Sequence, residues 1–269
     1  MKISSQKLLH IEQWFKQHNQ KVIVAFSGGV DSCLVTFLAR KFLGKENTLA
    51  VISASPSLKR TDLGIAKKFC FENDINLEII KTNEMEDPNY YTNPVNRCYF
   101  CKTNLYNELK IIAKRFPQTA IINGQNFEDF GDYRPGIKAA NEFKILTPLA
   151  DCKFGKNDIR EIAEFYNLST WDKPASPCLS SRIPYGEEVT IQKLKQIELA
   201  ENLLNEIGFN EVRVRHYNNV AKIEVPHERL NDLLIIENEI KEKIIQLGFL
   251  DCNIDNEGFV SGKLNRVLA

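Results

Sequence analysis

Apolar and polar positions recur along this chain with two different periods. Residues 4–19 place Leu8, Leu9, Ile11, Trp14 and Phe15 at helical spacing, which predicts an amphipathic helix. The run VIVAF (22–26) is apolar, rich in β-branched residues and short, so it reads as a buried strand. A loop of glycine and serine, SGGVDS (27–32), follows it, and helical spacing returns from Cys33 to Leu43. The pattern then predicts a strand at 48–53, a helix near 60–73, a strand at 77–80 and a polar, turn-rich loop over 83–94. Further on it predicts a helix at 98–116, a strand at 120–124, a loop over 126–137 and a strand end within 143–151. A helix over 157–168, with Asn157 as its cap, closes the series. Strands alternating with helices imply a parallel sheet covered on both faces.

The rhythm breaks at WDKPASPCLSSRIPYG (171–186), whose prolines and serines mark a loop or linker. Beyond it come a long helix at 190–209 stopping at Gly208, two alternating strands at 211–217 and 220–226, and a helix at 228–249 ended by Gly248. One more strand lies in the tail. The expected organisation is an α/β nucleotide-binding domain over 1–170, a connecting segment over 171–189 and a smaller α+β domain over 190–269.

Charge changes this picture only by exclusion. The 269 residues hold 35 Lys and Arg against 35 Asp and Glu, so no dominant nucleic-acid-binding surface is expected. The N-terminal stretch has no signal-peptide h-region, and no apolar run reaches the length of a membrane span. Seven cysteines, an odd number in a chain without a secretion signal, argue against a disulfide framework and for a reducing, cytoplasmic setting. There, the Cys98-x-x-Cys101 pair reads as a metal or redox element, or as a helix start with two buried thiols. Cys33, Cys70 and Cys252 read as core or surface thiols. His10, His18, His216 and His227 show no ligand spacing.

SGGVDS carries the most chemistry. Gly28 and Gly29 allow a tight turn whose N–H groups face an anion, and the following helix adds the positive end of its dipole. Ser27 and Ser32 can donate to phosphate oxygens. Asp31 is out of place in a pure anion cradle, and a carboxylate there makes sense as a ligand of Mg²⁺. The Lys of a Walker-type loop is missing. Cys178 sits in the Pro/Ser-rich segment with Arg182 four positions on, where a cation favours the nucleophilic thiolate; the rival reading is a small apolar side chain under a loop. Arg213 and Arg215 share one face of a predicted strand, as a forked phosphate clamp or a solvated face. Asp129 and Asp132 suit either Mg²⁺ and pyrophosphate or loop capping.

SGGxDS after a first strand resembles the PP-loop ATP pyrophosphatases, the adenine nucleotide α-hydrolase-like class. NRCYFCK (96–102), GDYRPGIKAA (131–140), TPLAD (147–151), the 171–186 segment, VRVRHYNNVAKIEV (212–225) and GFVSGKLN (258–265) together resemble the LarE family of sulfur transferases, which build the nickel-pincer nucleotide cofactor of lactate racemase. The resemblance implies that ATP adenylates a carboxylate of pyridinium-3,5-biscarboxylic acid mononucleotide, a small-molecule nucleotide substrate, and that sulfur then displaces AMP. It implies ATP and pyrophosphate contacts from Ser27, Gly28, Gly29, Asp31, Ser32, Ser53, Gly124 and Asp129. Substrate contacts are implied for Arg97, Arg134, Ser181, Arg182, Glu201, Arg213, Arg215 and Asp232, with Cys178, Asp31 and Arg182 as catalytic residues. In one branch of the family three cysteines resembling Cys98, Cys101 and Cys178 hold a [4Fe–4S] cluster; in another, a single cysteine at the Cys178 position gives up its own sulfur. All three are present here, which favours the cluster over zinc, a dithiol pair or no metal. The resemblance also implies a trimer-based homo-oligomer; the sulfide donor has no signature in the chain. A tRNA-thiolating enzyme, an amide-forming synthetase and a nucleotide sensor are the competing readings.

Overall fold

The structure is a computed structural model and describes residues 5–18, 20–131, 135–260 and 262–268. The chain divides into two compact units, one of Met1–Glu84 with Asn96–Ser176, the other of Met85–Val95 with Pro177–Ala269.

In the first unit, α1 (Ser5–Gln17), β1 (Lys21–Ala25), α2 (Val30–Leu43), β2 (Thr48–Ser53), α3 (Arg60–Glu72) and β3 (Asn76–Ile80) follow in order. After α4 (Pro88–Tyr91), which belongs to the second unit, come α5 (Arg97–Ala113), β4 (Thr119–Asn123), α6 (Pro135–Glu142), α7 (Pro148–Asp151) and α8 (Lys156–Phe165). The four strands form a parallel sheet in the order β3-β2-β1-β4, with Ile23 opposite both Leu49 and Ile121. Alternation along β1 builds two cores. Val22 and Val24 join Phe15, Leu34, Leu38, Phe69 and Ile159 from α1, α2, α3 and α8. Ile23 and Ala25 join Tyr106, Leu109, Ala139 and Ala140 from α5 and α6. β1 therefore needs apolar side chains at successive positions, which is why VIVAF shows no polar alternation.

Local chemistry accounts for several departures from the sequence pattern. The strand expected within 143–151 is a single parallel bridge, Leu146 to Ile122, because Pro148 opens α7. Asn157 is not a cap: Gly155 is, and its N–H donates to Asp158 Oδ2 at 2.8 Å. The loop over 83–94 contains a 3₁₀ turn and α4, whose cap Asp87 accepts from Asn89 N at 2.9 Å. The loop over 126–137 contains a 3₁₀ turn and the start of α6.

The second unit holds α9 (Ile191–Glu206), β5 (Arg213–Tyr217), β6 (Val220–Glu224), α10 (Leu230–Ile235), α11 (Glu237–Gln246) and β7 (Asp251–Ile254). β5 and β6 form a hairpin through Asn218 and Asn219, both at positive φ (44° and 69°), the conformation that a tight two-residue turn requires. β7 adds parallel to β6. Leu204, Val214, Ala221, Ile223, Ile240 and Ile244 form the core. The single helix expected over 228–249 is two, separated at Ile236 (φ −109°). Buried Leu230, Leu233, Ile240 and Ile244 keep helical spacing across the break, so the period concealed it. The segment 171–186 divides at Ser176: residues 171–176 pack within the first unit. The excursion 85–95 is tied into the second unit by Gly186 N to Asn93 O (2.9 Å) and Val189 N to Tyr91 O (2.8 Å).

Candidate active site

In the first unit, Ser27, Ser53 and Gly124 lie at or just beyond the carboxyl ends of β1, β2 and β4. The chain order reverses between β1 and β4, and the crevice at such a switch point is where open α/β sheets bind ligands. Gly28 has φ +72°, and a Cβ there would lie 3.0 Å from Ala66 Cβ. Gly29 caps α2 without a side-chain bond. Ser32 Oγ donates to Gly29 O at 3.0 Å, accepts from Ser27 N at 3.3 Å and lies 3.0 Å from Ser27 Oγ, closing the turn on itself. A Cβ on Gly124 would come within 2.7 Å of Ser32 N, so only glycine lets the chain after β4 cross the first turn of α2.

Asp31 Oδ2 accepts from Asn126 Nδ2 at 3.2 Å. Asp129 is buried, and its Oδ2 accepts from Asn126 N at 3.1 Å, the loop-capping role. Ser53 Oγ pairs with Thr82 Oγ1 at 2.7 Å. Arg134 and Asp132 lie outside the described residues. Three groups that the sequence reading passed over sit here. Asn126 bridges Asp31 and Asp129, while Lys173 Nζ donates to Gly28 O at 2.9 Å and pairs with Asp62 Oδ1 at 3.0 Å. Ser176 Oγ also donates to Asp62, at 2.7 Å. The only sequence signal for Lys173 was its place in the Pro/Ser-rich segment.

Cys98 and Cys101 occupy the first turn of α5, Cys98 exposed and Cys101 half-buried. Arg97, the first residue of that helix, is buried. Gly136 packs α6 against this turn, since a Cβ there would meet Lys102 Cγ at 3.1 Å. Cys33 and Cys70 are buried, and burial pushes both thiols up to about 12. Cys152 is half-buried and pushed up to about 11.

In the second unit, Cys178 is exposed and caps a 3₁₀ turn over Leu179–Arg182. Its carbonyl accepts from Ser181 N (2.9 Å), Ser181 Oγ (2.7 Å) and Arg182 Nη1 (3.3 Å). Arg182, expected as a cation near the thiol, is itself held by several partners. Its guanidinium is buried and forks onto Glu201, Nε to Oε1 at 2.8 Å and Nη2 to Oε2 at 3.2 Å, while Nη1 donates to Pro177 O at 2.8 Å. Glu201 Oε1 also accepts from Val214 N at 3.1 Å. These bonds fix the backbone that carries the thiol.

Arg213 and Arg215 lie two apart on β5 and differ in their surroundings. Arg215 is buried, donating to Ser181 O at 2.7 Å and Glu224 Oε2 at 2.8 Å. Glu224, fully buried on β6, was invisible in sequence as one charge on an apparently half-exposed strand. Arg213 is half-buried over the ring of Phe259; burial, with Arg182 and Arg215 nearby, pushes its guanidinium down to about 10. Asp232 is solvent-exposed on α10, paired with Arg229 at 2.8 Å.

Among the described residues, no group of three or more His, Cys, Asp and Glu side chains is arranged to hold a metal ion, and no helix is long and apolar enough to cross a membrane. Cys98 and Cys101 belong to the first unit and Cys178 to the second. Each of the three lies outside the apolar cores and offers a thiol, the donor type that an iron–sulfur cluster takes.

The NAD synthase family model matches residues 5–107, and with the loop at the sheet's switch point this makes the first unit a PP-loop nucleotide-binding domain. An ammonia-dependent NAD⁺ synthetase from Fusobacterium nucleatum is 37% identical over 82 residues, 30% of this chain and 31% of its own. Other relatives match along nearly the full length. An uncharacterized Synechocystis protein is 43% identical, covering 97% of this chain and 98% of its own. The pyridinium-3,5-bisthiocarboxylic acid mononucleotide synthase of Lactiplantibacillus plantarum is 35% identical, covering 93% and 90%. The chain belongs to this synthase family, the LarE-type ATP-dependent sulfurtransferases.

Proposed function

We propose that this enzyme converts a carboxylate of pyridinium-3,5-biscarboxylic acid mononucleotide into a thiocarboxylate. The observation that carries the proposal is the self-closed Ser27–Ser32 turn at the switch point of a parallel sheet, in a chain that matches the synthase over 93% of its length. Gly28, Gly29 and the start of α2 receive the ATP phosphates, and Ser53 lies where adenine is held. Asp31, oriented by Asn126, would hold Mg²⁺, which screens the phosphate charge. A substrate carboxylate oxygen attacks the α-phosphorus and pyrophosphate leaves. Lys173, fixed on the loop by Gly28 O, stabilises the negative charge that develops there. Sulfide then attacks the acyl carbon, and AMP departs with the carboxylate oxygen. In the second unit, Arg213 meets the anionic substrate; Arg182, Glu201, Arg215 and Ser181 hold the Cys178 segment in place.

A [4Fe–4S] cluster on Cys98, Cys101 and Cys178 would supply a labile sulfide at the iron left without a protein ligand. The exposure of Cys178 also suits a second reading, in which its own sulfur is given up and the residue becomes dehydroalanine. Anaerobic reconstitution with iron and sulfide, followed by ATP and the biscarboxylate nucleotide, separates the two. The cluster reading requires more than one product per chain, with the mass of position 178 unchanged. One product per chain, with loss of H₂S at Cys178, overturns it. Absence of AMP formation with this nucleotide overturns the substrate assignment.

A further inference from the structure

The ion network of the second unit leaves one guanidinium without a carboxylate. Arg182 is committed to Glu201, and Arg215 to Glu224 and Ser181 O. Among the described residues, Arg213 has no side-chain hydrogen bond or ion pair; its guanidinium carbon lies over the Phe259 ring, 4.0 Å from the centroid. All five N–H donors of a guanidinium lie in its plane, so a ring against its face consumes none of them.

The backbone that carries Phe259 is tied to its surroundings. Its own N–H donates to Val225 O at 2.9 Å. Gly258, at φ +69°, brings the chain so near β6 that a Cβ would lie 2.8 Å from Val225 O. Lys263 Nζ donates to Asp255 Oδ2 at 2.7 Å and Gly258 O at 2.9 Å, and stands 3.6 Å from Glu224 Oε1. The tail thus delivers an aromatic face to a half-buried cation that has the guanidiniums of Arg182 and Arg215 and the carboxylates of Glu224 and Glu201 nearby. An aliphatic side chain would fill the space, but only a ring offers the quadrupole that attracts the guanidinium.

We propose that Phe259 is a positioning residue of the substrate site: its ring holds Arg213 in the orientation that receives the phosphate monoester of the nucleotide substrate. The proposal rests on the reading of Arg213 as the substrate-binding arm. ATP has its own cradle in the first unit, so the two ligands respond differently.

The test uses the full chain with Phe259→Leu, Phe259→Met, Phe259→Tyr, Arg213→Ala and the double variant Phe259→Leu/Arg213→Ala. Calorimetric binding of the biscarboxylate mononucleotide and of ATP is measured for each, with KM, kcat and a thermal melt. Phe259→Leu and Phe259→Met should weaken nucleotide binding about three- to ten-fold, with KM raised, kcat retained and ATP binding unchanged. Phe259→Tyr should restore wild-type binding, and the double variant should bind no more weakly than Arg213→Ala alone. If Arg213→Ala weakens the nucleotide while both non-aromatic variants bind it normally, the positioning role is wrong and the substrate reading stands. If Arg213→Ala leaves nucleotide binding unchanged, the substrate-arm reading falls and takes the proposal with it. Parallel losses in nucleotide binding, ATP binding and melting temperature would make Phe259 a packing residue only. Should one non-aromatic variant fail to fold, the other decides.

Discussion

Asp31 is an acid in a turn otherwise built to receive anions, and its bond to Asn126 holds the carboxylate in one orientation. Replacing it with Ala should abolish pyrophosphate release and leave the melting temperature near that of the wild type, because no core contact is removed. AMP formation at the wild-type rate would show that the acid has no part in nucleotide chemistry. The thiols separate just as sharply. Burial disfavours the thiolate, so Cys33, Cys70 and Cys252 are pushed up to about 12 in the folded chain. At pH 8, iodoacetamide should therefore label Cys98, Cys101 and Cys178 in the native apoprotein and all seven cysteines in denaturant, with Cys152 slow. Rapid native labelling of Cys33 would contradict its burial. The same shifts set a sign for alkaline stability. The unfolded chain loses these protons near pH 9 and the folded chain near 12, so stability should fall as pH rises across that interval, read as a declining denaturation midpoint.

Elements depend on close approaches that no local pattern announces. Gly124→Ala would drive a methyl into the first turn of α2, with contacts of 2.7 and 2.8 Å to Ser32 N and Cα. The expected cost is about 1–3 kcal/mol of stability, with ATP affinity falling alongside, as denaturant titration and calorimetry would show. In the second unit, Glu201→Gln leaves the Arg182 guanidinium buried beside a neutral amide. A loss of about 3–5 kcal/mol is expected, the range for breaking a buried pair by removing one partner. A change below about 1 kcal/mol would place the pair in solvent. The phosphate loop was legible because its glycines and serines follow one another in sequence, and β1 because Val22, Ile23, Val24 and Ala25 are successive apolar residues. Asn126 and Lys173 were not, because each acts on a partner distant in the chain: Lys173 reaches Gly28, and Asn126 reaches Asp31. The resemblance leads one to expect Arg182 and Arg215 in the site, but their commitment to Glu201 and Glu224 emerges only when α9, β5 and β6 come together. The break at Ile236 stayed hidden because its flanking apolar residues remain in phase.

At the scale of the whole molecule, 35 basic residues are balanced by 35 acidic ones, and no phosphate backbone has a polarised chain to follow. Filter binding at about 0.15 M ionic strength should show no retention of bulk tRNA; tight, salt-sensitive retention would revive the tRNA-thiolating reading. The path of the chain carries a consequence for its synthesis. Neither unit is one continuous stretch: residues 85–95 belong with Pro177 onward, and the first unit ends at Ser176. A ribosome adds about 5–20 residues per second, so Asn93 waits several seconds or longer for Gly186, its hydrogen-bond partner. Gly28 waits longer still for the ammonium group of Lys173. Until those partners are made the nascent chain exposes a half-built nucleotide loop and an orphaned turn of helix; the first unit has all its residues only at Ser176, and the second only with the residues that follow.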